Sequence, residues 1–329
     1  MRSLLDQFRK MHIVIRLLMI IIGVFIAFGS GIHFIEPESF PTIFDGVWWV
    51  IVTTATIGYG DFVPKTVLGR TFAILIILIG VAFVTYYMAT VATTIFKTLN
   101  ALQEGSATYK GKEHMIVIGW NEKAKNTIQH LLLINPNIHT VLIDNSLSEN
   151  PLANRNVYFV KGNSTKDETL KRANIEKAGT VLITADQNLN EHEADMHSIL
   201  TLLAVKGLNP LIYCLVEILT HEQVNNAQRA GADELVETYL LSSSIMVNSI
   251  HSHGLSTPIQ SLLNLTKERR IAMITATDEL VNQTFAMAVA FLIKQGVLLI
   301  GIKKGEEFFI YPSPSIRIEQ KDDLLVIVQ

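Results

Sequence analysis

Two long apolar runs dominate the first third of the chain. Leu17 to Ile35 is 19 residues without Asp, Glu, Lys or Arg, and Thr71 to Phe96 is 26 residues without these or His. A helix needs about 20 apolar residues to cross a hydrocarbon core of roughly 30 Å. Both runs are therefore predicted to span a membrane, and no later run qualifies. Arg2, Arg9 and Lys10 precede the first run, as in a signal peptide. A signal peptide's apolar region is only about 7–15 residues long and ends at a small-residue cleavage site. This run is longer, and a second span follows it. Between the two lies a third apolar stretch, Ile43 to Thr54, too short to cross and suited to a re-entrant helix.

Beyond Phe96 the pattern changes. Lys97 to Glu113 is polar, contains Gly105 and Gly111, and reads as a linker. Short apolar segments then alternate with helical patterns. Strands are predicted at His114–Gly119, Thr140–Asp144, Val157–Val160, Thr180–Thr184 and Leu211–Leu215, with an amphipathic run after the first ending at Leu133. Alternation of this kind predicts a parallel sheet with helices on both faces. The expected division is a membrane domain over 1–97, a linker over 98–113, an α/β domain over 114–250 and a small lobe over 251–329.

Composition and charge sharpen this outline. Only 17% of residues are charged, against about 25% in soluble domains. Residues 1–96 hold six Lys/Arg and five Asp/Glu, whereas 97–329 hold 21 and 25. The larger part is mildly acidic, which argues against a nucleic-acid polymer as partner. The single cysteine, Cys214, excludes an intrachain disulfide and fits a reducing cytosol. Arg2, Arg9, Lys10 and Arg16 precede the first span, and Lys97, Lys110 and Lys112 follow the second. The loop between them carries Glu36, Glu38, Asp45 and Asp61. The positive-inside rule then predicts a multi-pass protein of the cell membrane with both termini cytoplasmic.

The loop also carries candidate chemistry, in Thr56-Ile57-Gly58-Tyr59-Gly60-Asp61. Backbone carbonyls can replace the hydration shell of a potassium ion if successive ones point the same way. That requires backbone angles alternating in hand, which Gly58 and Gly60 adopt at little steric cost. Thr56 adds a hydroxyl at the inner end. Tyr59 is expected to brace the filter against a wall made by Trp48 and Trp49, with Asp61 accepting hydrogen bonds just outside. With Pro64, this segment resembles the potassium-channel signature. The resemblance implies a homotetramer with four filters around one axis, K+ as permeant ion, and membrane lipid around the outside. Some relatives carry a Glu at the position of Val52, paired with the acid equivalent to Asp61, and this chain departs from them there. By the same resemblance Gly80, mid-way along the second span, is a candidate gating hinge. Close helix packing is the other explanation of a glycine at that position.

In the soluble part, a dinucleotide fold would place its phosphate loop after the first strand. Here the glycine pattern survives as Gly119-x-Asn121-x-x-Ala124, with Asn121 expected to tolerate the left-handed conformation and Ala124 standing for the third glycine. Asp144, ending the second strand, is where an acid meets a ribose hydroxyl. The stretch resembles the RCK domain (regulator of potassium conductance), related to the cytosolic subunits of Trk and Ktr uptake systems. The carrying residues are Ile116 to Gly119, Gly162-Asn163-Ser164-Thr165, Leu170 to Ile175 and Ala230 to Asp233. The family usually has Asp where Asn163 stands. Residues 256–329 resemble its smaller α+β C-terminal lobe, with strands at Gly296–Gly301 and Asp322–Ile327.

The fold class implied is an α-helical pore domain followed by a Rossmann-like RCK domain and that lobe, with RCK–RCK dimerisation. A regulatory ligand is expected at Gly119, Asn121, Asp144 and Asn163. NAD, another adenine nucleotide, cyclic di-AMP, protons or a divalent cation are the candidates. Glu217 aligns with part of a calcium site of some relatives, but Leu219 two residues on lacks the carboxylate that site needs. Glu191 to His197 and His251-Ser252-His253 hint at metal, though an exposed helix turn and a polar connector explain them. The sequence thus reads as a ligand-gated potassium channel and not as an enzyme. A membrane-tethered NAD-dependent oxidoreductase would need an intact phosphate loop and a catalytic acid or base. A Trk or Ktr membrane subunit would have several degenerate filters.

Overall fold

The computed structural model describes residues 11, 13–153, 156–263, 270–305 and 307–328. Arg2, Arg9 and Lys10, which carry part of the orientation argument, lie outside the described residues. The chain divides into two compact units, Met1–Ala101 and Leu102–Gln329.

Among its described residues the first unit has three helices, α1 (Ile13–Ile35), α2 (Ile43–Thr54) and α3 (Val67–Gln103), the last of which ends at the start of the second unit. Helix α2 starts where Thr42 and Asp45 form a reciprocal capping box, the Thr42 hydroxyl accepting from Asp45 N and the Asp45 carboxylate accepting from Thr42 N. That satisfies two of the donors a helix start leaves orphaned. It stops at Thr54, whose hydroxyl turns back to the Val50 carbonyl at 2.7 Å. Ile32, Phe40, Trp49, Val50, Ala73 and Ile76 make the buried core of this unit. On α3 the buried residues are Gly69, Ala73, Ile76 and Gly80, a stripe at helical spacing, and on α1 they are Ile21, Gly29 and Ile32. Apart from Phe25, Phe28 and Phe72, which pack partly on this core, much of the apolar surface of both long helices is exposed, as suits helices that face lipid.

The second unit holds a six-stranded parallel sheet and a four-stranded antiparallel one. The first runs in the order β3-β2-β1-β4-β5-β6, from β1 (Met115–Ile118), β2 (Thr140–Asp144), β3 (Val157–Lys161), β4 (Thr180–Ile183), β5 (Tyr213–Ile218) and β6 (Glu234–Glu237). This is the Rossmann order. Its central strands are apolar on both faces. Ile116, Val141 and Val181 lie in one core cluster and Val117, Leu142 and Leu182 in the other, as expected of a sheet covered on both sides. The helices are α4 (Glu122–Ile134), α5 (Asp167–Arg172), α6 (Glu191–Leu208) and α7 (Val224–Arg229), followed by α8 (Thr238–His251) and α9 (Ser256–Leu263). The small lobe packs α10 (Phe285–Ile293) on β7 (Arg270–Thr275), β8 (Val297–Lys304), β9 (Glu307–Ile310) and β10 (Asp323–Val328).

Three features differ from the sequence reading. Strand β5 lies further along than Leu211–Leu215: Leu211 is 96% exposed, and the buried positions run from Ile212 through Cys214 and Val216 to Ile218. Strand β6 was not expected, since Glu234 and Glu237 bracket only two apolar residues. The polar stretch after Phe96, expected as a linker, carries structure that its composition does not show. Helix α3 continues through Lys97 to Gln103, and the following residues are strapped along the α/β domain. Tyr109 N donates to Arg172 O at 2.8 Å, Asn174 Nδ2 to Gly111 O at 2.7 Å, and Glu113 N to Lys177 O at 2.7 Å. The Tyr109 ring packs against His114 and Tyr158, with centroids 4.6 and 5.1 Å away.

Candidate pore loop and nucleotide cleft

The loop after α2 has the backbone alternation that carbonyl alignment requires. Thr56, Gly58 and Gly60 have φ of 59°, 63° and 77°, whereas Ile57 and Tyr59 between them do not enter the positive region. Thr56 thus joins the two glycines in the left-handed conformation, at a strain unusual for a β-branched residue. The loop is anchored to α2 by Ile57 N and Gly58 N, which both donate to Val52 O, at 3.0 and 3.3 Å. Among the described residues, no heavy atom beyond the adjoining residues lies within 4 Å of a Cβ built on Gly58 or Gly60. One face of the filter segment is therefore open in a single subunit.

The two tryptophans part company. Trp48 stacks on Tyr59 at 6.1 Å and 8°, and its Nε1 donates to Asp61 Oδ2 at 2.7 Å. Trp49 turns inward instead and packs on Phe40 at 5.2 Å. Adjacent helical residues project about 100° apart, so one side chain faces the filter and the next faces the subunit core. The Trp48 hydrogen bond holds the Asp61 carboxyl below its ordinary range, with the Phe62 amide contributing. Replacing Trp48 by Phe keeps the stack and removes the donor. We expect the external pH at which acid reduces potassium flux to move upward in this variant, measured by titrating flux against outside pH.

Gly80 has a close neighbour. A Cβ at this position would sit 2.2 Å from Thr54 Cγ2, and α3 passes through the site without interruption. Packing against the end of α2 thus accounts for the glycine within the subunit. Gly80→Ala is expected to destabilise the pore domain by about 1–3 kcal/mol, the usual range for overpacking. Thr54→Ser removes only the offending methyl and keeps the hydroxyl, so it should restore thermal stability in the double variant. No rescue would contradict the packing account.

A residue that sequence reading missed is Glu36, taken there only as an outward-facing charge. It is 4% exposed and accepts from Lys65 N at 2.9 Å, from Thr66 N at 2.8 Å and from the Thr66 hydroxyl. It thereby ties the end of α1 to the start of α3, just beyond the filter loop. Burial pushes its carboxyl up, but donors on Thr66, Lys65 and Ser39 outweigh this and hold it at about 2.

In the α/β domain, Gly119, Asn121, Asp144 and Asn163 come together around one cleft of about 170 Å3 at the carboxyl ends of the strands. Gly119 has φ of 91°, and a Cβ there would fall 2.6 Å from Thr184 Oγ1. Asn121 is not left-handed. It is extended (φ −150°) and caps α4, its Oδ1 accepting from Ala124 N at 2.8 Å and its Nδ2 donating to Ala185 O at 3.0 Å. The asparagine is thus used for its side chain and not for its backbone tolerance. Asp144 Oδ2 accepts from Trp120 N at 2.8 Å, and Oδ1 accepts from Ser146 N, Ser146 Oγ and Leu147 N. Asn163 Oδ1 accepts from Thr165 N and Oγ1.

Glu217 lies in the same sheet but is occupied structurally. It pairs with Lys123 and accepts from Ala185 N at 2.9 Å and from the Thr238 hydroxyl. Among the described residues, no group of three or more His, Cys, Asp or Glu is placed to hold a metal ion. The run from Glu191 to His197 is not wholly an exposed turn. Asp195 within it is fully buried and accepts from Leu219 N at 2.8 Å and from Thr220 N at 2.9 Å.

Comparison with known proteins agrees with this division. A family profile described as an ion channel matches residues 16–97, and one described as the TrkA-N domain matches residues 115–238. The Bacillus subtilis protein named "Putative potassium channel protein YugO" is 42% identical over 95% of both chains. The calcium-gated potassium channel TvoK of Thermoplasma volcanium is 28% identical over 88% of this chain and 83% of its own. Among solved structures, the GsuK channel superposes with a TM-score of 0.54 at 15% identity, over 98% of this chain and 58% of that one. GsuK bound to NAD gives 0.51 at 14% identity, with the same coverage. The human SLO3 gating ring gives 0.52 at 18% identity, over 65% of this chain and 44% of that one. These structures share the fold, and the chain spans about half of their length. With a relative of this identity along nearly its full length, and with both profiles in the order pore then regulator, the chain belongs to the family of potassium channels that carry a TrkA-N regulatory domain.

Proposed function

We propose that the chain is the subunit of a potassium-selective channel whose opening responds to an adenine nucleotide bound in the α/β cleft. The observation that carries the pore reading is the alternation in hand at Thr56, Gly58 and Gly60, on a segment one face of which this chain leaves uncovered. A carbonyl cage around an ion needs several such segments facing one axis, and four copies of this chain supply it. Both termini are cytoplasmic in this reading, and ions pass down their gradient.

The cleft supports a regulatory ligand. It stands at the carboxyl ends of β1, β2 and β3, where open α/β sheets bind nucleotides. At about 170 Å3 it is smaller than the roughly 300–1,000 Å3 that encloses a drug-sized ligand, so it takes part of a nucleotide and leaves the rest outside. The relative bound to NAD makes NAD the first probe. Pairing of regulatory domains is supported by exposed apolar residues on α6 (Met196, Leu200, Leu203) and on α8 (Met246, Val247, Ile250).

The test is cation flux into liposomes holding the purified chain, with and without NAD. Potassium flux well above sodium flux, and altered by NAD, is expected. Equal flux of the two ions would refute selectivity. Selective flux that ignores NAD, with no NAD bound in calorimetry, would refute the reading of the cleft.

A further inference from the structure

The chain leaving α3 is gripped by the same two strand ends that border the cleft. On the β2 side, Asp144 lines the cleft and its carboxylate fixes Ser146 and Leu147 in a turn. Five residues after Asp144 the same loop reaches Gln103, the last residue of α3. Glu149 Oε2 accepts from Gln103 Nε2 at 2.5 Å, and Asn150 N donates to Gln103 O at 2.8 Å. Asn150 is itself pinned to β3, its Nδ2 donating to Val157 O at 2.9 Å.

The β3 side repeats the arrangement. Lys161 N donates to Gly105 O at 2.9 Å, and the next residues, Gly162 and Asn163, line the cleft. Gly162 N donates to Asp144 O at 3.0 Å, so the two strand ends are themselves joined. Arg172 closes the grip. Its Nη1 donates to Gly105 O at 2.9 Å and its Nη2 to Lys161 O. Among the described residues Arg172 has no carboxylate partner, and its Nε is buried without an acceptor. An arginine that spends its charge on two carbonyls is held there for geometry. Its planar fork reaches both at once, which the single ammonium of a lysine does not.

We infer that the cleft rim and the anchor of α3 are one mechanical element, closed by Arg172, through which a nucleotide in the cleft acts on Gln103 and Gly105 of the same subunit. This rests on the reading of the cleft as a nucleotide site. Gln103, Glu149 and Arg172 are positioning residues: they touch neither ligand nor ion. A chain of hydrogen bonds transmits only if it has two arrangements that the ligand tells apart. The ends of β2 and β3 are where the ligand makes that distinction.

The experiment uses the full chain in liposomes, with NAD as the probe. The variants are Arg172→Gln and the surface pair Gln103→Ala with Glu149→Ala, the second guarding against misfolding of the first. Expected is saturable NAD binding in calorimetry, together with a response of potassium flux to NAD reduced at least about 5-fold, the lower end of usual coupling between sites. A response equal to wild type in both variants would overturn the inference. If wild type binds no NAD, the reading of the cleft fails, and the clamp is judged without ligand by amide exchange. Arg172→Gln should then speed exchange at the Lys161 amide and shift basal flux. Unchanged exchange and flux would overturn it.

Discussion

Replacing Gly58 by alanine is expected to abolish potassium-selective flux while leaving an assembled protein. The backbone at Gly58 has φ of 63°, and nothing in the chain crowds a Cβ there. The penalty is therefore conformational. An L-residue in the left-handed region loses about 1–2 kcal/mol, which over the four copies of the proposed tetramer amounts to about 4–8 kcal/mol. Relaxing it flips the peptide, takes a carbonyl off the axis and leaves the ion without part of its cage. The checks are flux and oligomer size together. Intact assembly without selective flux supports the filter reading, and unaltered selectivity would contradict it.

Removing the Glu36 carboxylate is expected to have the largest effect on stability. Glu36→Ala leaves the Lys65 and Thr66 amides without their acceptor. A fully buried donor stripped of its partner costs about 1–3 kcal/mol; these two amides are only part-buried, so each is set at about 1–2 kcal/mol and the pair at about 2–4 kcal/mol, read as loss of thermal stability. Glu36→Gln keeps one acceptor oxygen and should lose less. The pH dependence follows in sign. The folded carboxyl lies at about 2, below its ordinary 4.5, so its contribution is full above about 4.5 and fades as pH falls toward 2. Wild type should weaken over that window, whereas Glu36→Ala should not. An equal acid response in both would remove Glu36 from the account.

The alternation in hand of the proposed filter could be read from the sequence because its chemistry is local. Six consecutive residues carry the backbone pattern, and the flanking apolar runs place it. Glu36 was not legible for the opposite reason: its partners stand 29 and 30 residues away. The parallel sheet could be read from its buried strands, but β6 could not, because a four-residue strand with an acid at each end lacks the apolar signal. Asn121 lines the cleft but is not left-handed as its sequence context suggests: both left-handed tolerance and helix capping favour asparagine, and only the backbone angle separates them. The segment after Phe96 was read as a linker from its polarity. Backbone hydrogen bonds to Arg172 and Lys177 hold it in place, and such bonds leave no trace in side-chain composition.

Whether the Thr56–Gly60 segment selects potassium is read from a reversal potential in a planar bilayer, with potassium on one side and sodium on the other. A current that reverses far toward the potassium equilibrium potential is expected. Reversal near zero would show a pore that does not tell the two ions apart, and would overturn the assignment of this segment as the filter.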